Sequence, residues 1–180
     1  MPPVSLQLHP DSTCDAIVSI DVDVSVVQNQ LRLHYRFAGD RSRLLLPPRS
    51  SSARADLLWR TTCCEAFLGH AAASDYLEFN FAPSTHWAAY RFSGYRRDML
   101  SATLPAPNVL TTDAPQPFSL QAVVHFGAPL TLTAYDRLGL ACVLEETGGR
   151  LSYWALWHPT GKPDFHDPSA LQLDLASYAS

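Results

Sequence analysis

Within residues 16–27, Val18, Ile20, Val22, Val24 and Val26 alternate with Ser19, Asp21, Asp23 and Ser25. A side-chain period of two belongs to a β-strand, and a strand apolar on one side needs a second layer to cover it. Residues 28–30 supply a polar turn. Leu31, Leu33, Tyr35 and Phe37 then alternate with Arg32, His34 and Arg36, which completes a hairpin. Further strand signals occupy residues 63–69, 76–82, 87–93, 118–126, 138–146 and 151–158, separated by Gly, Pro, Ser or Asp, and Thr147, Gly148 and Gly149 mark a tight turn. No segment holds an apolar period near 3.6. Many short strands in series predict an all-β fold, an antiparallel β-sandwich.

The remaining stretches read as connections. Residues 38–56, with two adjacent prolines, a serine run and four arginines, form the longest loop, broken by a short apolar piece at 44–46. Residues 105–117 are proline-rich and read as an extended crossover. Residues 129–137 fit a strand and a short helix equally well.

With 180 residues, 47% of them hydrophobic, the chain can bury one continuous core, and one domain over residues 1–180 is expected. A formal net charge of -4 offers no basic surface for a phosphate backbone, so nucleic acid is not expected as a partner. The start MPPVSLQLHPDST lacks the charged and apolar regions of an export signal, and no stretch has the length to span a bilayer. A cytoplasmic protein without a membrane partner is the expectation. Cys14, Cys63, Cys64 and Cys142 show no metal-ligand spacing and read as buried thiols.

Alternation also assigns side chains to faces. In YLEFNFA, Leu77, Phe79 and Phe81 go to the core, leaving Tyr76, Glu78, Asn80 and Ala82 opposite; in CCEAFLG, Cys64, Ala66 and Leu68 join the core, leaving Cys63, Glu65 and Phe67 opposite. The same rule applied to WAAYRF sends Ala88, Tyr90 and Phe92 inward and Trp87, Ala89 and Arg91 outward. One face would then present Glu65, Glu78, Asn80, Trp87 and Arg91. Acids, amides and arginine with an aromatic platform suit a hydroxyl-rich ligand such as a saccharide or amino-sugar-like metabolite. A cross-strand ion-pair network on a solvated face satisfies the same pattern.

Trp59 and Trp87 are the platform candidates, and one of Trp154 and Trp157, which differ in parity, belongs in the core. The proline-stiffened segment HPTGKPDFHDP carries His158, Lys162, Asp164 and His166. These residues are expected to close the ligand site as a rigid rim. The spacing matches no strong metal pattern, histidines next to proline can instead cap backbone carbonyls, and no metal or cofactor is assigned.

The runs LWRTTCCEAFLG, YLEFNFAPSTHWAAYRFSGYR and LSYWALWHPTGKPDFHDP are similar to the bacterial DOMON-like proteins, whose domain resembles the family 9 carbohydrate-binding modules. The resemblance covers residues 5 to 175. It implies a β-sandwich whose relatives bind sugars or haem, with Glu65 at their acidic strand position and Trp59 and Trp87 as aromatic sugar contacts. The chain departs from the pattern at Cys64, where the family carries an aromatic residue.

The function expected is non-catalytic ligand binding. Haem is the alternative that the resemblance raises, with Met99 as an axial ligand and Arg96 and Arg97 near the propionates. A glycoside-acting enzyme using Glu65 and Glu78 is a further alternative, although no nucleophile-elbow, zinc-protease, dinucleotide or phosphate-loop motif is present. Composition and motifs leave the oligomeric state open.

Overall fold

The computed structural model describes residues 1–112 and 118–179. It contains β1 (Val4–Leu8), β2 (Ile17–Val27), β3 (Gln30–Gly39), β4 (Cys63–Gly69), β5 (Tyr76–Phe81), β6 (Trp87–Phe92), β7 (Leu100–Ser101), β8 (Asn108–Thr111), β9 (Phe118–His125), β10 (Arg137–Glu145), β11 (Leu151–Ala155) and β12 (Leu173–Asp174). All ladders between these strands are antiparallel. The helical segments among the described residues are short 3-10 turns, none long and apolar enough to cross a membrane. The expected antiparallel β-sandwich is the observed fold.

The strands follow one path, β7-β6-β5-β4-β10-β11-β1-β2-β3-β9-β8, with β12 added beside β10. Curling brings the two ends of this path face to face. The bend falls within β1: Val4, Ser5 and Leu6 pair with β2, whereas Gln7 and Leu8 pair with β11. One strand thus belongs to both layers, and the core between them is filled by Ile20, Val22, Leu31, Leu33 and Tyr35 from one side and Ala66, Leu68, Phe79, Phe81, Leu140 and Cys142 from the other.

Tyr35 carries the polar contact between the layers. It is fully buried, and its hydroxyl donates to the backbone carbonyl of Glu65 across the core at 2.9 Å. The hydrogen bond satisfies a phenol that would otherwise lie dry and unpaired, and it ties β3 to the strand that carries Glu65.

Strict alternation fails at the start of β2. A bulge between Ile17 and Ser19 turns Ile17 into the core and leaves Val18 78% exposed, after which Ile20 and Val22 resume the inward phase. The connections also hold more structure than their composition suggests. Residues 4–8 form β1, residues 108–111 of the expected crossover form the edge strand β8, and the ambiguous 129–137 segment contains a 3-10 turn at Leu132–Ala134. Residues 113–117 of that crossover lie outside the described residues.

Both faces of β4 and β5 are buried. The inner face meets the core. The outer face lies under a second apolar cluster, in which Phe67, Tyr76, Tyr90, Phe92, Ala141 and Val143 pack with Phe165 from the C-terminal segment and with Trp59 and Leu58 from the loop before β4. Gly139 on β10 admits this cover, because a Cβ there would stand 2.9 Å from the carbonyl oxygen of Ala170.

Replacing Tyr35 with Phe should cost about 1–2 kcal/mol, since the carbonyl of Glu65 loses a buried donor while the ring stays in place. Urea unfolding of both proteins measures the difference. A cost below about 0.3 kcal/mol would mean that the inter-layer bond contributes nothing net.

Candidate functional site

Under the C-terminal cover lies a cleft of about 590 Å³. Its floor is the outer face of β4 and β5, where Glu65 and Glu78 project, and its walls include Trp59, Arg96, Val143, Tyr153, Phe165 and His166. The volume falls in the range of small-molecule sites, roughly 300–1,000 Å³. A more apolar hollow of about 400 Å³ adjoins it, with Phe165 and His166 as the shared wall.

Register explains the floor. Glu65 lies opposite Asn80 in the β4–β5 ladder, so Glu78 is the diagonal neighbour of Glu65 on the same face. Both glutamates are 3% exposed. Asn80 is wholly buried; its amide donates to Glu78 Oε1 at 2.6 Å, and its carbonyl oxygen accepts the Cys63 thiol at 3.5 Å. Asn80 therefore aims Glu78 rather than lining the cleft. Glu65 Oε1 is buried with no hydrogen-bond partner. An orphan carboxyl oxygen in a binding-sized cleft costs stability unless something enters to satisfy it.

Burial pushes both carboxyls above their usual range. For Glu65 the neighbouring Glu78 charge adds to burial while Arg96 opposes it; for Glu78 the Asn80 bond and Arg96 oppose burial without cancelling it. His166 is held down to about 4, by burial first and by the Arg96 charge second, with Asp164 acting against them. The ring is therefore neutral at ordinary pH. Its Nδ1 shares a hydrogen bond with the Tyr76 hydroxyl at 2.7 Å, and the Tyr76 oxygen accepts the backbone N–H of Arg96 at 3.2 Å. The other ring nitrogen, Nε2, stands 3.7 Å from Glu78 Oε2, beyond hydrogen-bond reach. Burial leads the rise of the Tyr76 phenol to about 12, so it remains a donor.

The rim is held by Asp164. One oxygen accepts the Arg96 guanidinium at 2.8 Å and the backbone N–H of His166 at 3.1 Å; the other accepts the Tyr95 hydroxyl. Burial alone would raise this carboxyl, but the Tyr95 bond and the Arg96 bond and charge outweigh it and lower its pKa. Trp59 stands with its edge toward Tyr90 at 5.9 Å between ring centroids, and Tyr90 donates to Asp56 at 2.6 Å.

Of the residues expected in the site, Trp59, Glu65, Glu78 and His166 line one cleft; Asn80 and Asp164 support it from behind and at the rim. The others are elsewhere. Trp87 faces the inner core, because β6 pairs with β5 so that Trp87 opposes Phe81 and Tyr90 opposes Glu78. The face assignment for this strand is therefore inverted, and Arg91 shares the inner phase, exposed beyond the core at the sheet margin. His158 donates from Nε2 to the Gln7 carbonyl at 2.8 Å and packs edge-on against His9, which ties the C-terminal segment to β1 instead of reaching the cleft. Lys162 is exposed and outside the lining.

Tyr153, Phe165 and Arg96 complete the cleft without having been picked out for it. Tyr153 was accessible to a parity argument, since Trp154 faces the core at 4% exposure and its neighbour must face the other way. Arg96, considered above beside haem propionates, belongs to the turn after β6 and has φ 52, a backbone state that alternation cannot foresee. Among the described residues no group of three or more His, Cys, Asp or Glu side chains could hold a metal ion.

Neither a family model nor a curated protein matches the sequence. Among solved structures, a candidate carbohydrate-binding protein from Bacteroides uniformis superposes with a TM-score of 0.61 at 13% identity, over 93% of this chain and 82% of its own. A family 9 carbohydrate-binding module from Caldicellulosiruptor kristjanssonii, solved with glucose, gives a TM-score of 0.43 at 14% identity, over 84% of this chain and 72% of its own. At such identities the first likeness establishes a shared fold.

Glu65→Gln keeps the shape of the floor and removes its ionisation. A carboxyl whose folded pKa lies above the unfolded value stabilises fully below that value, near 4.5, and loses this contribution as pH rises through the folded one. Wild type should therefore fall behind Glu65→Gln from about pH 4.5 upward, by at most about 1.4 kcal/mol per pH unit. Denaturation curves for both proteins at acidic, neutral and mildly alkaline pH measure the gap; a gap independent of pH would show that Glu65 carries no such burden.

Proposed function

We propose that this protein is a non-catalytic module that binds a saccharide in the cleft between the outer sheet face and the C-terminal segment. The observation that carries this reading is the unpartnered, buried Glu65 oxygen on the floor of a cleft walled by Trp59 and Tyr153. A sugar hydroxyl can donate to that oxygen, Arg96 can donate to a ring or hydroxyl oxygen, and the indole can cover an apolar sugar face. The shared fold with the candidate carbohydrate-binding protein from Bacteroides uniformis agrees with it.

Placement of the glutamates favours binding over cleavage. A glycosidase sets its two carboxyl groups on either side of the scissile bond. Glu65 and Glu78 instead share one dry sheet face on which burial pushes both carboxyls up, so the pair is not split into the protonated and ionised partners that cleavage requires. The haem alternative loses its axial ligand: Met99 is 51% exposed and outside the cleft lining.

Calorimetric titration with neutral and amino monosaccharides and their oligomers tests the proposal. At least one should bind saturably, and Trp59→Ala should weaken it about tenfold or more while the melting temperature changes by only a few degrees, because Trp59 is incompletely buried. No binding at millimolar sugar, or an unaltered affinity in Trp59→Ala, would overturn this reading.

A further inference from the structure

Resting on that saccharide reading, we infer that the ligand carries a protonated amine, so that the cleft takes a basic amino sugar in preference to its neutral or N-acetylated counterparts. The argument begins with the balance of charge. Glu65 and Glu78 form the floor, and Arg96, which with Arg60 supplies the cationic lining among the described residues, is already paired with Asp164. Arg60 lies exposed at the mouth, His166 lines the cleft as a neutral ring, and Tyr76 bonds that ring from the adjoining hollow. The excess charge that ionisation would create on this floor is negative.

Hydrogen-bonding capacity points the same way. Glu65 Oε1 has no donor, and Glu78 Oε2 has His166 Nε2 no nearer than 3.7 Å. An ammonium group brings three donors and no acceptor, which suits a floor short of donors, whereas a hydroxyl brings one donor and an acceptor of its own. Rings flank the position: Trp59, Tyr153 and Phe165 line the same cleft, and aromatic faces attract a cation within about 6 Å of the ring centre. An N-acetyl group removes the charge and all but one of the donors.

Binding would then be linked to protons. The dry floor disfavours two carboxylates side by side, and an ammonium between them reverses that preference, so amine capture expels protons from the glutamates. Affinity should rise as pH increases from the acidic side, then fall once the amine loses its own proton.

The test titrates the full chain at mildly acidic pH with glucosamine, N-acetylglucosamine and glucose and with the β-1,4-linked dimer of each, in two buffers of different ionisation heat. The expected result is at least tenfold tighter binding of the glucosamine forms, with net proton release. Glu65→Gln and Glu78→Gln, each confirmed folded by thermal melting, should reduce that preference to threefold or less. Equal affinity for the three classes, binding of amine without proton release, or an undiminished preference in both folded variants overturns the amine inference while the saccharide reading stands. If none of the sugars binds, both fall.

Discussion

The outer face of the second layer is covered by the chain itself, and the rest of the molecule follows from that constraint. Antiparallel sheets commonly leave one side to water, where polar residues need no protein partner. Here β4 and β5 are buried on both sides, so every polar group on the outer face has to be bonded, neutralised or left for a ligand. Asn80, Tyr76 and Tyr90 take the first course, His166 the second, and Glu65 the third.

The cover is held at separate points by different chemistry. Phe165 supplies apolar contact at the centre, Asp164 clamps Arg96 and Tyr95 at one margin, and His158 bonds the backbone of β1 at the other. Because His158 grips the strand that joins the two layers, the lid over the cleft and the curl of the sheet share an anchor. Tyr35 extends the connection from the opposite side, reaching through the core to the backbone of Glu65. The floor of the candidate site, Glu65 and Glu78, thereby stands on paired strands, which reduces the ordering cost of binding.

A floor of this kind sets stability against function. Two carboxyls that are costly to ionise without a ligand make the empty protein less stable at neutral pH than an amide floor would, and the same feature gives a cationic ligand its advantage. Rings and hydrogen-bonded hydroxyls surround the pair, so the electrostatic cost is concentrated where a ligand can offset it.

Alternation by itself determined the fold class, most of the strands and the inner and outer faces of β4 and β5, because each of those strands mixes apolar and polar residues in a pattern with only one phase. It also brought Glu65 and Glu78 to one face. The same rule inverted β6, where Trp87, Ala88, Ala89 and Tyr90 offer no polar mark and pairing with β5 sets the phase. It likewise misplaced Val18, since a bulge shifts the period by one residue. Tertiary structure alone decided that the outer face would be dry, that Arg96 would reach it and that His158 would turn away to β1. Those outcomes depend on where the C-terminal segment folds back over strands some ninety positions earlier in the chain, and a local period carries no information about contacts at that separation.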